Sequence, residues 1–256
     1  MQDFDVQLER FLKEFIGNKA YEEVLQGLEN TMTIAFYGFI IGIVIGTLIA
    51  VVRVLPKNKM IPKSGSPIVR IFSYVSSYVL PKLLDGLCTL YVGLFRGTPI
   101  VVQLLVFYFV VLPLMGLERI DSITVAIIVF GMNSGAYISE IMRGGILSVD
   151  PGQMEGGRSV GMSYTTTMVK VVRPQAVKNI LPTLGNEFIA LVKETSVVSF
   201  VGAMDLYKTF RSIGATTYQY MVPYLTMAII YIVIVMIITM LIKLMERGLR
   251  KSDRGR

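Results

Sequence analysis

The 256-residue chain has no histidine and one cysteine, Cys88. A His or Cys metal site, a Ser-His-Asp triad and an internal disulfide each need side chains that are missing. No G-x-x-x-x-G-K-[ST] phosphate loop occurs, so no nucleotide site of that type is encoded. No catalytic residue, metal or cofactor is expected, nothing points to a nucleic acid partner, and Cys88 reads as packing. Charge is absent over long stretches as well. Residues 31–52, 97–117, 122–139 and 212–242 contain no Asp, Glu, Lys or Arg, and a membrane-spanning helix needs roughly 20 apolar residues.

What the chain does contain is apolar surface and an excess of positive charge. It is 53% hydrophobic with a net charge of +7 and a mean hydropathy of +0.61, which is too apolar for one ordinary soluble domain. The first ten residues are acidic and lack the basic stretch and apolar core of a cleaved signal peptide, so the first span is expected to direct insertion.

Lys and Arg are retained on the cytoplasmic side, and this orients the spans. Residues 1–29 carry seven acids against three bases, which places them outside. Arg53, Lys57, Lys59, Lys63, Arg70 and Lys82 face only Asp85 and belong inside. The Glu118, Arg119, Asp121 turn is outside; residues 143–178 and the basic tail are inside. Alternation then requires one further crossing at residues 183–204, although Glu187, Lys193 and Glu194 interrupt it. The expectation is an all-α polytopic membrane protein of five transmembrane helices, at residues 30–53, 87–113, 121–143, 183–204 and 221–244. Its N-terminus is outside and its C-terminus cytoplasmic. Residues 1–28 form an extracytoplasmic segment, 29–247 the transmembrane domain and 248–256 a basic cytoplasmic tail.

Glycine positions read as helix packing. Gly38, Gly42 and Gly46 repeat on one face of the first span, and Gly131 with Gly135 do so in the third, allowing close backbone approach in lipid. Pro99, beside Arg96 and Thr98, should kink the second span and free backbone groups to line a cavity.

Residues 150–178 form a polar loop with helical signals. Asp150 can cap a helix with Pro151 in its first turn, Gly161 can end it, and Ser163 can start a second short helix. Gly156 and Gly157 each weaken a helix interior by about 0.5–1 kcal/mol relative to Ala, so this helix is expected to be weak unless something holds it. An ordinary amphipathic interfacial helix is the bland alternative.

The loop resembles the docking loop of ABC importer permeases, whose pattern is Glu-Ala-Ala, three residues, Gly, then about nine residues later an aliphatic residue, any residue and Leu-Pro. Here Glu155-Gly156-Gly157, Gly161 and Val171-Val172-Arg173-Pro174 keep that spacing, with two Ala replaced by Gly and the Leu by Arg. Further stretches resemble the polar amino acid uptake branch: Gln26-Gly27-Leu28-Glu29-Asn30-Thr31, Phe95-Arg96-Gly97-Thr98-Pro99 with Gln103, Asn133-Ser134-Gly135-Ala136-Tyr137 with Glu140 and Arg143-Gly144-Gly145, Pro174-Gln175-Ala176 and Lys193-Glu194-Thr195-Ser196. The resemblance implies a five-span permease paired with a second copy or a homologue. It further implies two cytoplasmic ATPase subunits gripping a coupling helix at Glu155, Gly156, Gly157 and Gly161, and an extracytoplasmic amino acid binding protein. ATP hydrolysis would lie on the separate subunits, so the chain itself is not expected to be an enzyme. Residues 57–87 are longer than the resemblance leads one to expect and contain an apolar stretch at 68–80, too short to span and readable as an interfacial helix.

Within the fourth span, Lys193 and Glu194 lie about 15–17 Å from a start near Thr183, close to the middle of a core of roughly 30 Å. Charges at that depth should face a cavity or one another. An amino acid zwitterion needs a donor for its carboxylate and an acceptor for its ammonium. Lys193 would supply the first, Glu187 or Glu194 the second, and Asn186, Thr195 and Ser196 further hydrogen bonds. The alternative is that Lys193 and Glu194 pair with groups on other spans and hold a dimer together. Two acids against one base lean toward a cationic cargo, with Gln or His next. A non-transporting sensor or assembly subunit that recruits a cytoplasmic partner is the competing function.

Overall fold

The computed structural model describes residues 4–54, 79–117 and 119–254, with side chains as far as Gly248. Most of the long 57–87 connection, and with it nearly all of its apolar stretch, lies outside the described residues, as does the tail's side-chain detail. Every regular element among the described residues is helical. α1 is Phe4–Leu12, α2 Ala20–Val54, α3 Leu80–Gly97, α4 Ile100–Leu114 and α5 Ser122–Leu147. α6 is Pro151–Ser159, α7 Tyr164–Thr167, α8 Arg173–Glu194, α9 Leu206–Thr217 and α10 Met221–Arg254.

α2, α5 and Met221–Gly248 of α10 are long and apolar enough to cross a membrane, and α3 with α4 make a fourth candidate if the bent pair counts as one broken span or a re-entrant loop. α2 starts ten residues before the expected first span, with Glu22 and Glu23 in its first turn and Arg53 in its last, each sign suited to the helix dipole.

The second span is interrupted by more than a kink. α3 stops at Gly97, Thr98 is extended (φ −123°, ψ 145°), and a helix resumes at Ile100. The cause is Pro99, which has no amide proton and forces the residue before it out of the helical region. Two other prolines are absorbed differently. Pro113 follows a π-turn at Phe107–Val111, and Pro174 follows one at Met168–Val172; a widened turn makes room for the ring near the carbonyl four residues back.

Contacts divide the chain into two units. Unit 1 is Met1–Ile40, Ile100–Gly131 and Leu181–Arg256. Its larger core joins Ile34 and Ala35 of α2, Leu104 of α4, Val125 and Phe130 of α5, and Leu191 and Val192 of α8. A second core gathers Phe11, Ala20, Val24, Leu206, Phe210, Ile213 and Val222 from α1, the start of α2, α9 and the start of α10. A Cβ on Gly38 would lie 3.1 Å from the Phe130 Cβ and 3.5 Å from the Gly131 nitrogen.

Unit 2 is Ile41–Pro99 and Met132–Ile180. A Cβ on Gly42 would come within 2.9 Å of the Ser134 Cβ, and one on Gly46 within 2.8 Å of the Ile138 Cβ. Gly135 is equally tight against Ile45. Because positions four apart on α2 meet positions four apart on α5 in the same order, the two helices run parallel.

Candidate functional site

Residues 150–178, the stretch that resembles a docking loop, lie in unit 2. Asp150 Oδ1 accepts from the Gly152 amide at 2.7 Å, and Pro151 occupies the first turn, where its missing N–H costs nothing. Gly161, at φ +88°, ends α6. The Gly161 amide donates to the Arg158 carbonyl at 3.0 Å and the Met162 amide to the Gly157 carbonyl at 3.2 Å. This double bond pattern is a Schellman stop, and its left-handed position suits a residue without Cβ. Ser163 restarts the chain, its hydroxyl accepting from the Thr166 amide at 3.1 Å.

The two adjacent glycines have different surroundings. Gly156 has open space where a Cβ would go, whereas a Cβ on Gly157 would collide with the buried Thr167 side chain of α7. The close approach at Gly157 is therefore made within this chain, and Gly156, with the exposed Glu155, belongs to the open face. Gln175 Nε2 donates to Gln153 Oε1 at 3.1 Å and Asn179 Nδ2 to Ser148 Oγ at 2.9 Å, tying the segment to the first part of α8. A Cβ on Gly145 would meet Ile180 in the same region.

A charge network beside this segment escaped the sequence reading. Arg53 at the end of α2 donates to Glu140 Oε1, and Arg143 donates to Glu140 Oε2 through Nε at 3.1 Å and an Nη at 2.7 Å. Asp85 of α3 lies 4.0 Å from Arg53 Nε. In the sequence Arg53 reads only as an orienting charge; the signal available there is the three-residue spacing of Glu140 and Arg143 on one helix face. Arg53 and Arg143 also border a cavity of about 370 Å³ that is lined as well by Asp150, Pro151 and Met154.

On α8, Asn186, Lys193 and Glu194 are exposed and Glu187 is half-buried. Thr195 is fully buried and donates to the Val192 carbonyl at 2.8 Å; the Ser196 hydroxyl donates to the Lys193 carbonyl at 3.2 Å. Three of these four α8 side chains are thus exposed and Glu187 is partly covered, while the Thr195 hydroxyl is directed into its own helix turn. α8 gives way at Thr195 to a 3₁₀ turn through Val201, which Gly202 ends in the left-handed region.

The chain after that turn is fastened to the start of α2 within unit 1. Asn30 Nδ2 donates to the Met204 carbonyl at 2.7 Å, and Thr31 Oγ1 accepts from the Leu206 amide at 3.2 Å. A Cβ on Gly27 would come within 2.9 Å of the Asp205 carbonyl oxygen. The Asp205 carboxylate caps α9, accepting from the amides of Tyr207 and Lys208 at 3.2 and 2.9 Å, and is fully buried. Burial pushes its carboxyl up to about 6 in spite of those amides.

Among the described residues no group of His, Cys, Asp and Glu has metal-site geometry. Comparison with known proteins adds identity to this geometry. The family model for binding-protein-dependent transport system inner membrane components matches residues 71–251. The arginine transport system permease protein ArtQ of Bacillus subtilis is 34% identical over 230 residues, 90% of this chain and 94% of its own length. A putative glutamine transport system permease protein of Rickettsia typhi is 33% identical over 90% of this chain and 95% of its own. Among solved structures, a crystal structure of an amino acid ABC transporter with histidines superposes with a TM-score of 0.76 at 34% identity, covering 97% of this chain and 99% of that one. An inward-facing methionine ABC transporter, at 20% identity and a TM-score of 0.64 over 89% of this chain and 96% of its own, shares the fold. By the extent of the family match and the near full-length relatives, this chain belongs to the binding-protein-dependent transport system inner membrane components.

Proposed function

We propose that the chain is the membrane permease subunit of an ATP-driven importer of a polar or cationic amino acid, seated in the cell membrane. ATP is hydrolysed by separate cytoplasmic subunits that grip α6 at Glu155, Gly156 and Gly161, and an extracytoplasmic binding protein delivers the cargo. The observation that carries this reading is the exposure of Asn186, Lys193 and Glu194 on α8, the helix that leads directly out of the docking segment. Charges on a spanning helix need a polar cavity or a charged partner, and a second permease copy or homologue facing this side would enclose one. Lys193 then meets the cargo carboxylate, and Glu187 or Glu194 its ammonium or cationic side chain. The arginine and glutamine named for the relatives fit such a donor and acceptor set.

Five crossings serve this arrangement. α2 and α5 run parallel, so the chain between them must return across the bilayer, which α3 and α4 together accomplish. α8 starts against the docking segment and is followed by the residues fastened to Asn30 and Thr31, a path that makes a fourth crossing; α10 makes the fifth. The N-terminus is then outside and the C-terminus cytoplasmic.

The test is uptake into vesicles holding the permease, its ATPase subunits and the binding protein, measured with labelled arginine, lysine, histidine and glutamine. ATP-dependent accumulation of at least one is expected, with loss of at least tenfold in Glu194→Gln and Lys193→Met. No accumulation of any would return the chain to the sensor or assembly class.

A further inference from the structure

We propose that Asp150 is an alternative ion-pair partner for Arg143, so that Glu140 and Asp150 compete for one guanidinium and define two positions of the docking helix. The inference rests on α6 being the element that the ATPase subunits move.

Glu140 holds two guanidinium groups, Arg53 on one oxygen and Arg143 on the other. The two are not equivalent. Arg53 is 19% exposed and has Asp85 as a further carboxylate partner at 4.0 Å. Arg143 is 37% exposed and borders the open cavity. If Arg143 turns away, Glu140 keeps Arg53 and no carboxylate in the network is left uncompensated. Arg143 is the member that can leave.

The cavity gives it somewhere to go. Asp150, at the start of α6, lines the same cavity as Arg143, together with Pro151 and Met154. Its capping bond to the Gly152 amide uses Oδ1, and a carboxylate has about four acceptor sites, so capping and an ion pair are compatible. Much of the remaining lining is apolar, including Ile146 and Val149, which strengthens a pair formed there relative to one in water. The present structure has Arg143 on Glu140, and the cavity of about 370 Å³ is lined by residues of both the network and α6. Pressing α6 toward the network removes that space and brings Asp150 to the guanidinium. The exchange joins movement of the docking helix to the end of α5, and it needs two discrete arrangements, as a coupling element must.

Asp150→Asn separates this role from capping, because Asn caps as well as Asp but carries no charge. In the reconstituted complex, thermal midpoint and uptake of labelled arginine, lysine, histidine and glutamine per ATP hydrolysed would be compared with the unaltered chain. An unchanged midpoint with a tenfold or greater fall in uptake per ATP is expected. An unchanged ratio, or a ratio that falls only with the midpoint, overturns the proposal. A second measurement needs no uptake: Arg143→Cys with Asp150→Cys in a Cys88→Ser background, joined by a short bifunctional thiol reagent. Cross-linking at least ten times faster with a non-hydrolysable ATP analogue than without nucleotide supports the exchange, and equal rates overturn it. If the unaltered complex accumulates no amino acid, the importer reading fails, and the cross-linking rates still decide the pair.

Discussion

Gly156 and Gly157 are identical side by side in the sequence, yet a methyl group added to each meets different surroundings. At Gly156 it enters open space, so Gly156→Ala should stabilise α6 by about 0.5–1 kcal/mol through reduced backbone freedom in the unfolded chain. At Gly157 it meets Thr167, which is fully buried and donates to the Ser163 carbonyl at 3.0 Å, so it has little freedom to yield. Gly157→Ala should destabilise by about 1–3 kcal/mol, the usual range for overpacking. Thr167→Ser removes the methyl while keeping the hydroxyl, and adding it to Gly157→Ala should recover part of the loss. Thermal unfolding of the purified permease reads all three. The consecutive glycines could be seen in the sequence as a weak point, but their two surroundings could not, because Thr167 sits across a turn whose angle is set by Gly161 and Ser163 together.

Capping does comparable work at the level of whole helices, and α9 shows a cap that costs stability. Asp205 satisfies two amides at the start of α9 but is fully buried, and its carboxyl stands at about 6 against an ordinary 3.8. A carboxyl raised in the folded state binds its proton more tightly there than in the unfolded chain. Its contribution therefore favours folding below about pH 4, declines as the pH rises toward 6, and is constant above that. A rise of this size corresponds to a loss on the order of 3 kcal/mol across the window. A thermal midpoint followed from pH 4 to 7 should fall, and Asp205→Asn should flatten most of that slope; an unaltered slope would assign the pH dependence to other groups. α9 itself was hidden in the sequence. It ends inside an uncharged run, and the left-handed residue after it is Tyr218 (φ 53°), not the glycine that usually announces such a stop. The glycine period on α2 could be read, since residues four apart share a face. The partners it meets, including Phe130 and Ile138, carry no small-residue signal. Likewise the Glu140–Arg143 spacing was visible within one helix, while Arg53, 87 residues away, was joined to it only by folding.

For the whole molecule, the parallel course of α2 and α5 decides more than the count of apolar runs does. If both helices span, two parallel spans need an intervening return, and in the proposed topology the broken α3 and α4 pair makes it. A re-entrant loop would bring it back to the side it left and force α5 to run antiparallel to α2. The distinction can be read with single cysteines in a Cys88→Ser background, at Asn18 before α2 and at Ser159 at the end of α6, both exposed positions. Three crossings separate them if the pair spans, and two if it re-enters. A membrane-impermeant maleimide applied to intact cells should label Asn18→Cys and leave Ser159→Cys unreacted, and inverted vesicles should reverse the pattern. Labelling of both from one side would make the crossing number even and contradict the parallel register. Labelling of Ser159→Cys alone from outside would keep the number odd but invert the chain, placing the proposed docking helix where no cytoplasmic ATPase could reach it.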